Sequence, residues 1–138
     1  MILLGGQSNS VGQALSPKSA HQPGWSTIPP NRCPLFYDGN ASLATLQPGS
    51  GGNPWPSAAF FGPEISFSPA IADAPPSATY AIIKHGENGT ALYNDWDPAT
   101  GSSYSNFRDT VTDGLAALQA AGHTTEIVGM VWDQGDLF

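Results

Sequence analysis

Apolar residues along this 138-residue chain fall into short unbroken runs cut by glycine and proline, with one longer amphipathic stretch. Met1-Ile2-Leu3-Leu4 ends in Gly5-Gly6 and reads as a buried strand entering a tight turn. Thr79-Tyr80-Ala81-Ile82-Ile83-Lys84 is a second β-rich run, stopped by Gly86. Glu126-Ile127-Val128-Gly129-Met130-Val131-Trp132 is a third, stopped near Gly135. Runs without polar alternation suit strands buried on both faces, as in a parallel sheet. Between the second and third runs, Phe107, Val111, Leu115 and Leu118 recur at helical spacing and share one face. Asp109 and Asp113 are expected near the start of that helix, where its dipole favours negative charge. Gly122 is a natural stop. A further helix is expected from Gly62-Pro63-Glu64, with Pro63 harmless in its first turn and Pro69 kinking or ending it.

Strand, helix and strand in succession form a βαβ unit. In an open parallel sheet, ligands bind beyond the carboxyl ends of the strands. Gly6-Gln7-Ser8-Asn9, His85-Gly86-Glu87-Asn88-Gly89 and Asp133-Gln134-Gly135-Asp136 follow the three runs, so these polar segments should converge on one edge. A serine in the turn after the first strand, beside glycine, is sharply presented with backbone N–H groups close by. That geometry suits acyl transfer.

Length argues for a single domain over 1–138. Of the 16 glycines and 13 prolines, 7 and 12 lie in positions 12 to 78, a stretch that should be rich in loops. Four basic residues stand against eleven acidic ones, for a net charge of −7. Lys18, Arg32, Lys84 and Arg108 are well separated, which disfavours nucleic acid and a polybasic membrane contact as partners. No apolar run approaches the roughly 18–20 residues of a membrane-spanning helix. Met1 to Leu4 lacks the charged start and longer apolar stretch of a signal peptide. Location would be outside the cell, or on its surface, only if a fuller chain carried such a segment. The lone Cys33 excludes an internal disulfide and a cysteine-based metal site, and no metal-ligand cluster appears.

Gly6-Gln7-Ser8-Asn9 followed by Val11-Gly12 resembles the first block of the SGNH-hydrolase superfamily, in its branch of sialate O-acetylesterase-like (SASA domain) carbohydrate esterases. Phe61-Gly62-Pro63-Glu64 resembles that branch's second block. Ile83-Lys84 through Gly89-Thr90, with Leu92 and Trp96, is similar to its middle segment. Val128 through Asp136 resembles its third block, where Trp-x-Gln-Gly-Glu is usual and this chain has Asp136. Four blocks in order span nearly the whole chain. The resemblance implies an α/β fold, a three-layer α/β/α flavodoxin-like sandwich with a parallel sheet, and hydrolysis of acetyl esters on sugars without a cofactor. It further implies Ser8 as nucleophile. The N–H groups of Ser8 and Gly62 and the amide of Gln134 would form an oxyanion hole, and Gln7, Asn9 and Asp136 would be substrate-binding residues.

The family's late Asp-x-x-His block has no counterpart here. His21, His85 and His123 are preceded three positions earlier by Lys18, Ile82 and Ala120. The chain is therefore expected to be the first part of a catalytic domain, with the general base beyond Phe138. His85 is an alternative base if it lies on the rim with Ser8, oriented by Asp136 or Glu87. His21 and His123 read as surface residues. Asp95-Trp96-Asp97 reads as turn chemistry around a buried indole rather than a carboxylate pair for glycoside cleavage. Trp25 and Trp55 suit sugar stacking or loop cover equally. The missing base motivates a second reading, a non-catalytic carbohydrate-binding or scaffold remnant. An incomplete sheet would favour self-association or completion by another chain.

Overall fold

The computed structural model describes residues 1–12, 14–15, 28–29, 31–40, 42–48 and 60–135. Strand β1 (Ile2–Gly6) leads into a short helix α1 (Ser8–Val11) and strand β2 (Ala14–Leu15). Strands β3 (Pro34–Tyr37), β4 (Ala44–Thr45) and β5 (Phe60–Phe61) follow. A 3-10 segment, Pro63–Phe67, runs straight into helix α2 (Ser68–Asp73). Strand β6 (Ile82–Gly86), helix α3 (Leu92–Asp95), helix α4 (Ser102–Ala120) and strand β7 (Gly129–Asp133) complete the order.

The main sheet has five strands in the order β4-β3-β6-β1-β7, and β2 pairs with β5 in a separate small sheet. All neighbours in the main sheet are parallel except the antiparallel β3–β4 pair. The trio β6-β1-β7 has the second-first-third order of a flavodoxin-like sheet, with β3 and β4 added outside β6.

Register sorts the side chains into two layers. Leu4 lies beside Lys84 and Val131, and Gly5 beside His85 and Trp132. Leu4, Leu35 and Ile82 pack with Ile65 and Ile71 from the 3-10 segment and α2, and with Ile28, Cys33 and Leu46. Leu3, Phe36 and Ile83 pack against Leu118, with Phe107, Val111 and Leu115 of α4 beside them. The sheet thus has helices on both faces, an α/β/α arrangement. Leu4, Leu35 and Ile83 are fully buried, and each contributes about 1.5–3 kcal/mol by leaving water. Burial drives the Cys33 thiol up to about 12, so it behaves as a small apolar side chain.

Several expectations shift by a few residues. Gly5 and Gly6 lie inside β1 rather than in a turn, because neighbouring groups crowd them. A Cβ on Gly5 would come within 2.8 Å of the Trp132 ring. Helix α4 begins at Ser102, so Asp109 and Asp113 sit in its interior and its first turn holds no acid. Gly122 ends that helix as expected, with φ at 84°. Pro69 neither kinks nor stops its helix. It occupies the first turn of α2, where the chain changes from 3-10 to α geometry. Arg32 closes the other end of α2 by donating to the carbonyls of Ile71, Ala74 and Pro75. Among the described residues no helix is long and apolar enough to cross a membrane.

Candidate active site

The carboxyl edge of the sheet is shaped at Gly6. Its φ is 138°, and a Cβ there would run into the Asp133 carbonyl. Glycine alone therefore lets β1 leave the sheet tight against β7. The Gln7 N–H then donates to Asp133 O at 2.9 Å, and the Glu87 N–H donates to Gly6 O at 3.1 Å. These two bonds fasten the turn after β1 to the ends of both neighbouring strands. Ser8 is the next residue. It stands where the strand order reverses, the position at which open α/β sheets bind ligands.

Ser8 is half-buried, and no described residue hydrogen-bonds its hydroxyl or its N–H. The nearby Ser10 differs: it is fully buried, and its Oγ donates to Gly5 O at 2.9 Å. One hydroxyl of this segment is consumed in structure, and the other has no hydrogen-bond partner among the described residues.

Gln134 follows β7. Its Nε2 donates to Thr90 O at 2.8 Å, and a carboxamide nitrogen carries a second hydrogen. Thr90 Oγ1 donates to Glu87 O and accepts the Trp96 indole N–H, both at 2.9 Å. The loop after β6 is thereby tied to the end of β7. The three post-strand segments do meet on one edge, with Ser8 in the middle strand's turn.

Gly62 departs from its expected role. Its N–H donates to Glu64 Oε1 at 2.9 Å, so the hydrogen points into a carboxylate and is not free for an oxyanion. Glu64 Oε2 in turn accepts from Lys84 Nζ at 2.5 Å, and Lys84 also donates to Val11 O at 2.9 Å. Both side chains are at least 98 % buried. Burial pulls the Lys84 ammonium below the ordinary lysine range, against the opposing pull of Glu64. Neither Lys84 nor the carboxylate of Glu64 announces itself in the sequence. Lys84 lies in the second apolar run and the middle-segment resemblance, and Glu64 in the second block and the helix expected from Gly62, but neither reading pairs the two.

His85 is likewise corrected. Lys84 faces α1, so its strand neighbour His85 projects to the opposite face of the sheet, beneath α4. Its ring lies 5.9 Å from Trp96 and 6.4 Å from Phe107, centroid to centroid. Nδ1 is 3.4 Å from both Asp38 Oδ2 and Thr110 Oγ1. Thr110 already donates its hydrogen to Asn106 O, so Nδ1 carries the proton between two acceptors. Burial lowers the pKa of this ring, while Asp38 and Glu87 push it the other way. The histidine packs beneath α4 against Trp96 and Phe107, and the structure does not bring it to Ser8.

Gln7 is 2 % exposed, too deep to touch a sugar, and its buried Nε2 has no partner among the described residues. Asn9 is exposed beside Ser8. Asp136, His21, Trp25 and Trp55 lie outside the described residues. The Asp95–Asp97 motif is turn chemistry: Asp95 accepts the Ala91 N–H, Asp97 accepts those of Ala99 and Thr100, and Trp96 is buried. Among the described residues no three of His, Cys, Asp and Glu gather as a metal site.

Comparison with curated proteins and with solved structures gives no match in either case. A family model does match, that of carbohydrate esterases described as sialic acid-specific acetylesterases, over residues 1–137. With that match covering nearly the whole chain, and an α/β/α sheet of the SGNH type beneath it, the chain belongs to the SASA family of carbohydrate esterases.

Proposed function

We propose that this domain hydrolyses O-acetyl esters on sugars through an acyl-enzyme formed on Ser8. Ser8 Oγ attacks the acetyl carbonyl carbon, its proton passing to a general base. The tetrahedral intermediate collapses by breaking the bond to the sugar oxygen, which leaves protonated. Water then attacks the acetyl-serine, and acetate departs. The Ser8 N–H and the second hydrogen of Gln134 Nε2 are the donors for the negative oxygen. Neutral donors of this kind favour the charged intermediate over the neutral ester. The scheme uses no cofactor. Its base is expected from polypeptide outside the described residues, since His85 is turned to the other face of the sheet.

The observation that carries the reading is Ser8 itself, with no hydrogen-bond partner among the described residues, at the switch point of a carbohydrate-esterase fold while Ser10 is locked away. Hydrolysis of 4-nitrophenyl acetate by the wild-type protein and by Ser8→Ala tests it. Loss of turnover to the buffer rate is expected in the variant, and equal rates would remove Ser8 from the chemistry. Gln134→Ala should lower kcat about 100- to 1,000-fold with little change in KM, the usual effect of deleting one oxyanion donor.

A second reading is a carbohydrate-binding remnant without turnover. It is favoured by one fact, that no histidine meets Ser8 among the described residues. It predicts retention of acetylated sugar by the protein with no acetate released, at any enzyme concentration.

A further inference from the structure

We propose that the buried Lys84–Glu64 pair is a positioning device for the Ser8 turn, clamping the end of α1 to the Gly62 turn and so fixing where the Ser8 hydroxyl stands. The proposal rests on the reading of Ser8 as nucleophile and deepens it.

Helix α1 has four residues and no side-chain cap. Its helical bonds are Val11 N–H to Gln7 O and Gly12 N–H to Ser8 O. A segment that short does not hold its own orientation, because helix nucleation costs more than two bonds return. Outside anchors are required, and the structure supplies them on both sides of Ser8. At the near end, Gln7 is bonded to β7 and Ser10 to β1. At the far end, Lys84 reaches from the middle of the sheet to Val11 O.

Lys84 would be a loose anchor alone, but its other contact is the Glu64 carboxylate, whose second oxygen holds the Gly62 N–H. The backbones of Gly12 and Gly62 touch. A Cβ on Gly62 would come within 2.8 Å of Lys84 Nζ and 2.9 Å of Gly12 Cα. The chain of contacts is therefore continuous from β6 through Lys84 to α1, and through Glu64 to the turn before the 3-10 segment.

Stability gives a poor reason for this arrangement. A buried ion pair loses about as much in desolvation as it gains in attraction, and apolar replacements are often as stable or more so. Geometry gives a better one. An ammonium with two fixed acceptors specifies the separation of two backbone segments that packing alone would leave free to slide.

The test compares wild type with Lys84→Met/Glu64→Gln, a neutral pair of similar volume that leaves no unpaired buried charge, and with Glu64→Gln alone. Two readouts are used: 4-nitrophenyl acetate turnover, and the backbone amide resonance of Ser8 in a 15N-labelled sample. The expected result for the folded double variant is a loss in kcat of up to about a hundredfold, with KM unchanged. Its Ser8 resonance should shift or split. Glu64→Gln strands the buried Lys84 charge and serves only as a folding control; Lys84→Leu/Glu64→Gln, a second neutral pair, should show the same change and carries the decision if the first double variant does not fold. A folded double variant with wild-type kcat and an unmoved Ser8 resonance would overturn the proposal. Should wild type prove no faster than Ser8→Ala, the esterase reading fails while the resonance still decides the clamp. A moved signal then sustains it, and an unmoved one ends it.

Discussion

The His85 ring is held between Asp38 and Thr110 at Nδ1, while its buried Nε2 meets no donor among the described residues. Such a ring is built to remain neutral, and that has a consequence for stability against pH. Burial lowers the folded-state pKa from 6.5, more than Asp38 and Glu87 restore it. The unfolded chain therefore takes up the proton first as pH falls, and stability drops from about pH 6.5 down through the lower folded value. Urea unfolding between about pH 7.5 and 5.5 should show this decline, and His85→Gln should flatten it. A slope unchanged in the variant would assign the decline to other groups. Legibility at this scale followed chemistry that needs exposure. Ser8 could be picked out from its place in the polar turn after the first apolar run, whereas the role of Gln134 came only from the resemblance of its block. Glu64 and Lys84 could not, because their role depends on facing each other across the inside of the molecule, and pattern alone assigns charges to water. The Gly62 N–H was misjudged for the same reason: which acceptor it meets is set by a side chain two residues on.

Helix α4 shows what periodicity does and does not convey. Phe107, Val111, Leu115 and Leu118 do line the face toward the sheet. The deepest positions of that face, however, include Ser103, Thr110 and Gly114. Small residues at the centre let the helix lie close over Ile83 and Phe36, with the larger apolar ones flanking. A Cβ on Gly114 would lie 2.7 Å from Ile83 Cδ1 and 3.0 Å from Phe36 Cδ1. Alanine there gains about 1 kcal/mol in helix propensity but overpacks a full core, at a cost of about 1–3 kcal/mol. Gly114→Ala should therefore destabilise slightly or be neutral, where an exposed helix glycine would gain. Gly122→Ala is a clean contrast. Its Cβ would meet nothing within 4 Å, yet φ is 84°, so a loss of about 1 kcal/mol from backbone strain alone is expected. Chemical denaturation of both variants checks the pair. Strand β3 is not expected from the sequence because Pro34 at its start and Asp38-Gly39 after it mark loops, while four residues are too few to outweigh them. Its Leu35-Phe36-Tyr37 core was the available signal.

At the scale of the whole molecule, the strand order explains both the site and the exposure on one side. Strand order reverses beside β1, which opens the crevice where Ser8 stands. The same order leaves β7 at the margin, with no strand among the described residues on its outer side. Its apolar run reads as buried on both faces, yet Val128 just before it is 69 % exposed and Met130, Val131 and Trp132 are 48, 41 and 37 % exposed. The pattern of a buried strand was legible; its lack of a neighbour was not, because a sequence run does not state what packs on it. An open edge bearing unpaired backbone groups and large apolar side chains is a template for another chain. The self-association expected of an incomplete sheet would use this edge, β7 against β7. Sedimentation of the purified protein should then show dimers increasing with concentration. Val131→Lys places a charge on that edge, on the face away from α4, and should return the protein to monomers without altering its far-ultraviolet spectrum. Monomers at every concentration in wild type would rule the pairing out, and dimers that persist in Val131→Lys would move the contact to another surface.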